Sequence, residues 1–494
     1  MNIKQILEVL DGECQAENLD SLLDKQIKEL VYDSRKADRD CLFAAIVGEN
    51  ADGHQYIGNA LAAGAAVILA QDSGKIPGGT PVILVKDSRR ALAKIAAAFY
   101  DYPDRRLRLI GVTGTNGKTT VTNLIRWILQ QNGRPCGLIG TIENKLGQRS
   151  VTSLNTTPES VEFFRMLREM EDNGCQAAVA EVSSHALSQG RVDGCFFRGA
   201  VFTNLTQDHL DYHQSMEQYR ACKVRLFAMV GQAGGDGYGV INVDDPSAAD
   251  FAQACAAPLW TYGMQQGAGL RLLSYASQTD GTDFDFRFEG QVYHAHVPLI
   301  GKFNIYNALA AIAVSLAEGL AMENVLEALS QAPQVPGRFE LIDCGQDFSV
   351  VVDYAHTPDG LENVLRTARE LTSRRLISVF GCGGNRDMAK RPVMGRIAGS
   401  LSDVAIITSD NPRFEDPMAI IEQIERGIKE ICTNYLVEAS RADAIGMALK
   451  LAEPGDMVVI AGKGHEDYQI VGNEKQHFDD REIVRQILNG GGAK

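Results

Sequence analysis

The run Leu109-Ile-Gly-Val-Thr-Gly-Thr-Asn-Gly-Lys-Thr-Thr120 constrains this chain more than any other. An apolar strand passes into a glycine loop, and the loop opens onto a helix. That helix carries Val121, Leu124, Ile125, Ile128 and Leu129, one apolar stripe with the spacing of a helix face, and stops before Gly133. Gly114 and Gly117 allow the backbone to curl with its N–H groups inward, which makes a cradle for phosphate. Lys118 can reach the outer phosphates, and the Thr119 hydroxyl can ligate Mg²⁺. The pattern departs from the usual loop at Val112, which stands where a glycine is expected.

A magnesium–nucleotide site needs more oxygen ligands, and in an open α/β sheet these come from the carboxyl ends of neighbouring strands. Ala177-Ala-Val-Ala-Glu181 delivers Glu181 there, and Ala200-Val-Phe202 leads towards Asp208 and His209. From spacing alone, a salt-bridged acid or histidine would serve as well as a metal ligand; the phosphate loop favours the metal.

The chain's net charge is −15 with a pI near 5.2, and it has no block of Lys and Arg, which argues against a nucleic-acid or anionic-membrane surface. Anionic ligands must therefore meet a few locally placed cations. The longest uncharged stretches, 55–71 and 303–317, contain Asn, Gln or Gly and are too short and polar to span a bilayer. The start has an acid by position 8 and no signal-peptide core, so the expectation is a cytoplasmic protein. The ten cysteines have no CxxC spacing and are read as buried small hydrophobes.

Composition breaks near Tyr102-Pro-Asp-Arg-Arg106 and Ala332-Pro-Gln-Val-Pro-Gly-Arg338 divide the chain into 1–104, 105–337 and 338–494. The first part alternates strand-like runs (41–47, 67–70, 82–85) with helical stretches such as 91–100. A long helical region, 304–329, precedes the second break. Beyond it, strands at 350–352, 376–380, 404–408 and 457–461 alternate with helices. The expected fold is α/β in three domains: a smaller N-terminal α/β domain, a central P-loop parallel or mixed sheet, and a C-terminal Rossmann-like doubly wound sheet.

The chain resembles the Mur ligases of bacterial cell-wall synthesis over nearly its whole length. The resemblance is carried by Thr113–Thr120, Glu181-Val-Ser-Ser-His185, Asp208-His-Leu-Asp211, Gly301-Lys-Phe-Asn-Ile-Tyr-Asn307, Gly337-Arg338 and Asp353-Tyr-Ala-His356, in that order. It implies peptidoglycan precursor synthesis, and hence a part in cell shape and division, by an ATP-dependent amide ligation through an acyl phosphate. It assigns the three domains to the UDP-sugar, to ATP and to the amino acid. Lys118, Glu181, His209 and Lys223 would be catalytic. Thr119 and Glu181 would hold one Mg²⁺, His209 would help to hold a second, and Lys223, carried as a carbamate, could help to bind Mg²⁺; on residues alone, Lys223 reads as a solvated helix face. Gly114, Thr115, Asn116, Gly117, Lys118, Thr119, Thr120, Asn304, Asn307, Arg338 and Asp353 would surround ATP. Helix capping is the rival reading for the two asparagines.

By the same resemblance, Ser34, Glu49, Asn50 and Ala51 face the uridine and its phosphates, Glu49 through its backbone because its charge is wrong. Asn155, Thr156, Thr157, Ser183, Gln189 and Arg191 face the muramoyl peptide, and His356 lies near the reaction centre. Three strand-following loops carry Arg386, Asp410-Asn411-Pro412-Arg413 and Gly462 with Glu466, a complement for a zwitterion with an additional charged end. Asp-Asn-Pro-Arg is the form this loop takes in family members that select meso-diaminopimelate, added to UDP-N-acetylmuramoyl-L-alanyl-D-glutamate. Arg413 would hold the far carboxylate, Glu466 the far ammonium and Arg386 the near carboxylate. A monomer without nucleic-acid or membrane partners is expected. A lysine-adding relative, a folylpolyglutamate synthetase-like ligase and a non-catalytic ATP-binding scaffold remain alternatives, although the hundred or so residues before the phosphate loop fit the second poorly.

Overall fold

The computed structural model describes residues 1–48, 51–231 and 236–490. Its strands form three main sheets, each drawn from one stretch of chain. The first sheet has five strands in the order Cys14–Glu17, Val82–Val85, Val67–Ala70, Cys41–Ala44 and Glu29–Val31; all pairings are parallel except that of the first strand.

The second sheet has eleven strands. Its parallel centre places Arg108–Thr113 between Gly199–Phe202 and Ala177–Glu181. In register, Val112 pairs with both Glu181 and Val201, and Thr113 with Phe202, so the three carboxyl ends finish level. Antiparallel additions flank this centre: the meander Leu270–Gln278, Gly281–Phe288, Gln291–Val297 on one side and the hairpin Glu143–Leu146, Arg149–Thr152 on the other. The stripe read from the sequence is the buried face of helix Lys118–Gln131: Val121, Leu124, Ile125, Ile128 and Leu129 are at most 1% exposed. Each such side chain contributes roughly 1.5–3 kcal/mol relative to exposure.

The expected long helical region is two helices, Lys302–Ala317 and Met322–Ser330, broken where Gly319 takes φ +80°. The break lets the second helix turn back onto the meander rather than run past the sheet.

The third sheet orders Glu340–Leu341, Ser349–Asp353, Met457–Ala461, Leu376–Phe380, Val404–Ile407 and Tyr435–Val437, parallel but for the first edge strand. Asp353 pairs with Ala461 and Phe380 with Ile407, so the loops that follow these strands open on one edge.

The first and second sheets share a continuous apolar core. Helix Ser88–Phe99 packs on helix Ser160–Asp172, and the contact is fastened by Arg89 on Glu159 at 2.6 Å and by the Tyr32 hydroxyl donating to Glu162 at 2.9 Å. The connection to the third sheet passes through Gly337 at φ +66°. A Cβ there would lie 2.1 Å from the His465 nitrogen, and the Gly337 carbonyl accepts the Tyr354 N–H at 2.9 Å. All ten cysteines are free; five are buried and five only partly so, which corrects the expectation that they are uniformly interior. Among the described residues, no helix is long and apolar enough to cross a membrane.

Candidate active site

The phosphate loop begins at Gly114, not at Val112, because Val112 is a fully buried strand residue paired on both sides. That accounts for the departure from the usual pattern. A Cβ at Gly114 would sit 1.9 Å from Thr203 Oγ1, and one at Gly117, φ +86°, would sit 2.4 Å from Asn307 Oδ1. The loop is pinned from the next strand end: the Thr115 and Asn116 N–H groups donate to the Asn204 carbonyl and side-chain oxygen, each at 2.9 Å, and Thr203 Oγ1 donates to the Asn116 carbonyl at 2.6 Å. Thr120 is buried in the first turn of the helix. The first N–H groups of that helix have no intrahelical acceptors and carry the positive end of its dipole.

Two lysines converge on one carbonyl. Lys118 Nζ donates to Gly114 O at 2.9 Å and to Thr115 O at 2.8 Å, and Lys223 Nζ donates to Gly114 O at 2.7 Å. Burial lowers the pKa of both, and the charge of Lys118 lowers Lys223 further. Lys223 is 1% exposed, with its ammonium 4.5 Å from the Tyr219 ring centre. It is no solvated helix face.

Thr119 Oγ1 donates to Glu181 Oε2 at 3.1 Å, and Arg338 donates to Thr119 Oγ1 at 2.9 Å. The Thr141 N–H and hydroxyl, at 2.8 and 2.9 Å, hold the Glu181 carboxylate in place. A hydroxyl and a carboxylate at the mouth of a phosphate loop are hard oxygen donors that fit Mg²⁺. His209, in the left-handed conformation at φ 54°, lies beside Asp208, with Nε2 3.3 Å from Oδ2, and edge-on to His185. Burial drives its pKa down to about 3, against the pull of Asp208, so the ring is neutral and can offer a nitrogen lone pair. Asp208 itself is raised by burial but lowered overall, with the charge of Lys390 and the His209 backbone N–H, which it accepts at 2.8 Å, favouring the carboxylate.

Lys118, Thr119, Thr141, Glu181, Asp208 and His209 line a cleft of about 520 Å³ between the second and third sheets, while Lys223 is buried beneath the phosphate loop outside that lining. Arg338, Asp353 and His356 form the facing wall, with Asn307, Phe303 and Tyr306 at one end. Asp353 accepts the Phe339 and Ala355 N–H groups at 2.6 and 2.7 Å, and burial raises its pKa to about 6. Arg338 lies over the Tyr354 ring at 4.6 Å. Asn304 is set behind Asn307: it donates to the Ile300 carbonyl and accepts from Asn307 Nδ2, so it orients its neighbour from within the helix. His356 is held by Nδ1 against Tyr354 O at 2.8 Å, and burial lowers its pKa. The sequence reading missed Asp359, which accepts from Asn116 Nδ2 at 2.8 Å and ties the phosphate loop to the third sheet's first helix. An acid after Pro358 looks like ordinary helix-start chemistry; only topology reveals its partner.

Near the first sheet, Ser34 lies in a single turn, 34–36, capped by Asp33, and Ala51 is exposed; Glu49 and Asn50 lie outside the described residues. Asn155 is exposed, Thr156 accepts from Thr141 at 3.1 Å, and Thr157 donates to the Glu181 carbonyl at 2.7 Å while accepting the Ser183 N–H. Arg191 holds the Thr157 carbonyl, the Gln189 side chain and Glu159, the last at 3.0 Å. Thr157, Ser183, Gln189 and Arg191 thus form one network that touches the backbone of Glu181, Thr156 reaches the Glu181 side chain through Thr141, and Asn155 stands outside it.

On the third sheet's edge, Arg413, at φ 53°, donates to Gly384 O at 2.9 Å, and Pro412 is buried behind it. A Cβ at Gly384 would lie 1.9 Å from Pro412 O, so glycine permits this loop-on-loop approach. Burial lowers the Arg413 pKa and the charge of Arg386 adds to the effect, against the opposing charges of Asp410 and Glu466; a Cβ on Gly383 would lie 2.9 Å from Arg413 Nη1 and 3.9 Å from Arg386 Cγ, so the two cations flank one glycine, a setting for a carboxylate. Asp410 Oδ2 is buried without a partner and would lie 2.6 Å from a Cβ on Gly462. Two buried arginines escaped the sequence reading. Arg391 pairs with Glu415, and Arg441, fully buried, pairs with Asp480 at 2.7 Å while donating to Ala461 O and Ser409 O, which ties two of the loops together.

The Mur ligase middle domain model matches residues 112–315, the Mur ligase glutamate ligase domain 337–464, and the Mur ligase family catalytic domain 26–100. The UDP-N-acetylmuramoyl-L-alanyl-D-glutamate–2,6-diaminopimelate ligase of Syntrophomonas wolfei is 44% identical over 491 residues, 99% of each chain. Its namesake from Geobacillus kaustophilus is 46% identical over 94% of this chain and 95% of its own. A solved structure of a ligase of that name superposes with a TM-score of 0.68 at 30% identity over the whole of both chains. A Mycobacterium tuberculosis folylpolyglutamate synthase complexed with ADP and AMPPCP shares the fold at a TM-score of 0.64 and 18% identity, covering 82% of this chain and 96% of its own. With relatives matched end to end at this identity, the chain belongs to the Mur ligase family.

Proposed function

We propose that this chain joins meso-diaminopimelate to UDP-N-acetylmuramoyl-L-alanyl-D-glutamate at the expense of ATP, with residues 1–104, 105–337 and 338–494 receiving the UDP-sugar, ATP and the amino acid. The observation that carries this reading is that Arg386 and Arg413 flank Gly383 while Asn411, two residues before Arg413, holds Glu466 at 2.9 Å, on the sheet whose Arg338, Asp353 and His356 wall the phosphate cleft. An amino acid with carboxylates and ammonium groups at both ends matches that arrangement.

The chemistry follows from the resistance of a carboxylate to nucleophiles. An oxygen of the substrate's terminal carboxylate attacks the γ-phosphorus, the bond to the ADP oxygen breaks, and an acyl phosphate forms. The amine nitrogen then attacks the carbonyl carbon, a proton leaves the nitrogen, and phosphate departs. Lys118 and the helix N-terminus lower the repulsion between the triphosphate and the attacking carboxylate. Thr119 and Glu181 would hold one Mg²⁺, His209 and a carbamylated Lys223 a second; bound magnesium supplies charge neutralisation at the phosphates. Because Nδ1 of His356 donates to Tyr354 O, Nε2 keeps a lone pair that can accept the amine's proton.

The depressed Lys223 pKa supports the carbamate: a neutral amine can attack CO₂, forming an N–C bond and releasing a proton. Lys223→Ala should lose at least about 50-fold in turnover, with partial rescue by formate or acetate supplying oxygens. An intact mass of the active protein under bicarbonate without the added CO₂ would overturn the modification.

The test of the function is direct. Purified protein with ATP, Mg²⁺ and the UDP-dipeptide should release phosphate when diaminopimelate is added, and the product should have the mass of the tripeptide. A lysine adduct formed as readily, or phosphate release with no adduct, would overturn the reading.

A further inference from the structure

Lys463 follows strand Met457–Ala461 and is withdrawn from solvent, with 0% of its side chain exposed. Its ammonium donates to Glu466 Oε2 at 3.0 Å and to Asn411 Oδ1 at 3.2 Å, and lies 5.3 Å from the Tyr468 ring centre. A buried ammonium is costly unless opposed by charge and hydrogen bonds, so these two contacts dictate where it stands. They also orient the asparagine. Asn411 Oδ1 receives both Lys463 and the Ile470 N–H, the latter at 2.9 Å, which turns Nδ2 onto Glu466 Oε2, also at 2.9 Å. Oε2 is thus occupied twice from within the protein, while among the described residues Oε1 has only the Tyr468 hydroxyl at 3.5 Å.

We infer that Lys463 is a positioning residue for amino-acid selection: it holds Glu466 Oε2, aims Oε1 at the incoming ammonium and fixes the amide of Asn411. The inference rests on the ligase reading above.

Other groups do not replace it. Burial and Asp410 raise the pKa of Glu466, and Lys463 opposes them at closest range. Tyr354 and Tyr468 also face the carboxylate and bring no positive charge. Arg413 is directed at Gly384 O, and Arg441 is engaged by both oxygens of Asp480 at 2.8 and 2.7 Å.

Lys463→Met, checked for an intact thermal transition, should raise KM for diaminopimelate about 10- to 100-fold while KM for ATP and for the UDP-dipeptide stays within about threefold. A protonated Glu466 cannot hold an ammonium, so kcat/KM for diaminopimelate falls as pH drops through its pKa. Without Lys463 that pKa rises, and the falling limb should move to higher pH by about one unit or more. Adding Glu466→Gln to the variant should abolish the displaced limb. Should Lys463→Met fail to fold, Lys463→Gln, which can still donate to one partner but carries no charge, is read by the same measurements. Equal rises in all three KM values, or an unmoved limb, would overturn the inference. If the wild-type protein makes no diaminopimelate adduct, the ligase reading fails; if it does and Lys463→Met shares its KM and pH profile, only this inference fails.

Discussion

Lys118→Ala should lower turnover at least about 100-fold with the fold intact, since it removes a cation needed where charge gathers as the phosphoryl group moves. The structure sharpens the reason. Lys118 and Lys223 share the Gly114 carbonyl, so the substitution also changes the charge that bears on Lys223. Steady-state phosphate release measures the effect, and a thermal melt guards against misfolding. A folded variant that turns over near the wild-type rate would remove Lys118 from the chemistry.

Arg413→Ala should lower kcat/KM for diaminopimelate by roughly 30- to 1,000-fold, the equivalent of about 2–4 kcal/mol for a charge-assisted pair in a partly desolvated site. Lysine should suffer much less. It has no far carboxylate, so for lysine Arg413 is an unpaired cation beside Arg386, and its loss removes a penalty. The selectivity ratio should narrow. Equal proportional losses for both amino acids would instead mean that Arg413, through its bond to Gly384 O, only supports the loop.

What could be read in the sequence followed from periodicity and from local loop chemistry. The helix stripe from Val121 to Leu129 buries the face its spacing creates, and strands such as Leu376–Phe380 and Met457–Ala461 are continuous apolar runs buried at every position, as a sheet covered on both faces requires. The meander Leu270–Val297 passed unread. Only its first strand is interrupted, by a bulge near Leu272–Ser274; Gly281–Phe288 alternates plainly, with Phe284 and Phe286 buried between Asp283, Asp285 and Arg287, so that strand was legible and was overlooked. In the site, Thr119 beside Glu181 could be anticipated, since strand ends gather beside a phosphate loop. Asp359, Arg391, Arg441 and Lys463 could not: each acts on residues at least 24 positions away or from a buried site that charged side chains seldom occupy.

Gly337 gives this architecture a mechanical property. A swivel point is usually free on all sides, but here its backbone presses on Gly464 and His465 and its carbonyl holds Tyr354. Were the third sheet to turn about residue 337, the strain would therefore pass into the loop that bears Glu466. An amino acid that stiffens this loop would, by the same contacts and the Tyr354 hydrogen bond, stiffen the backbone at residue 337 as well.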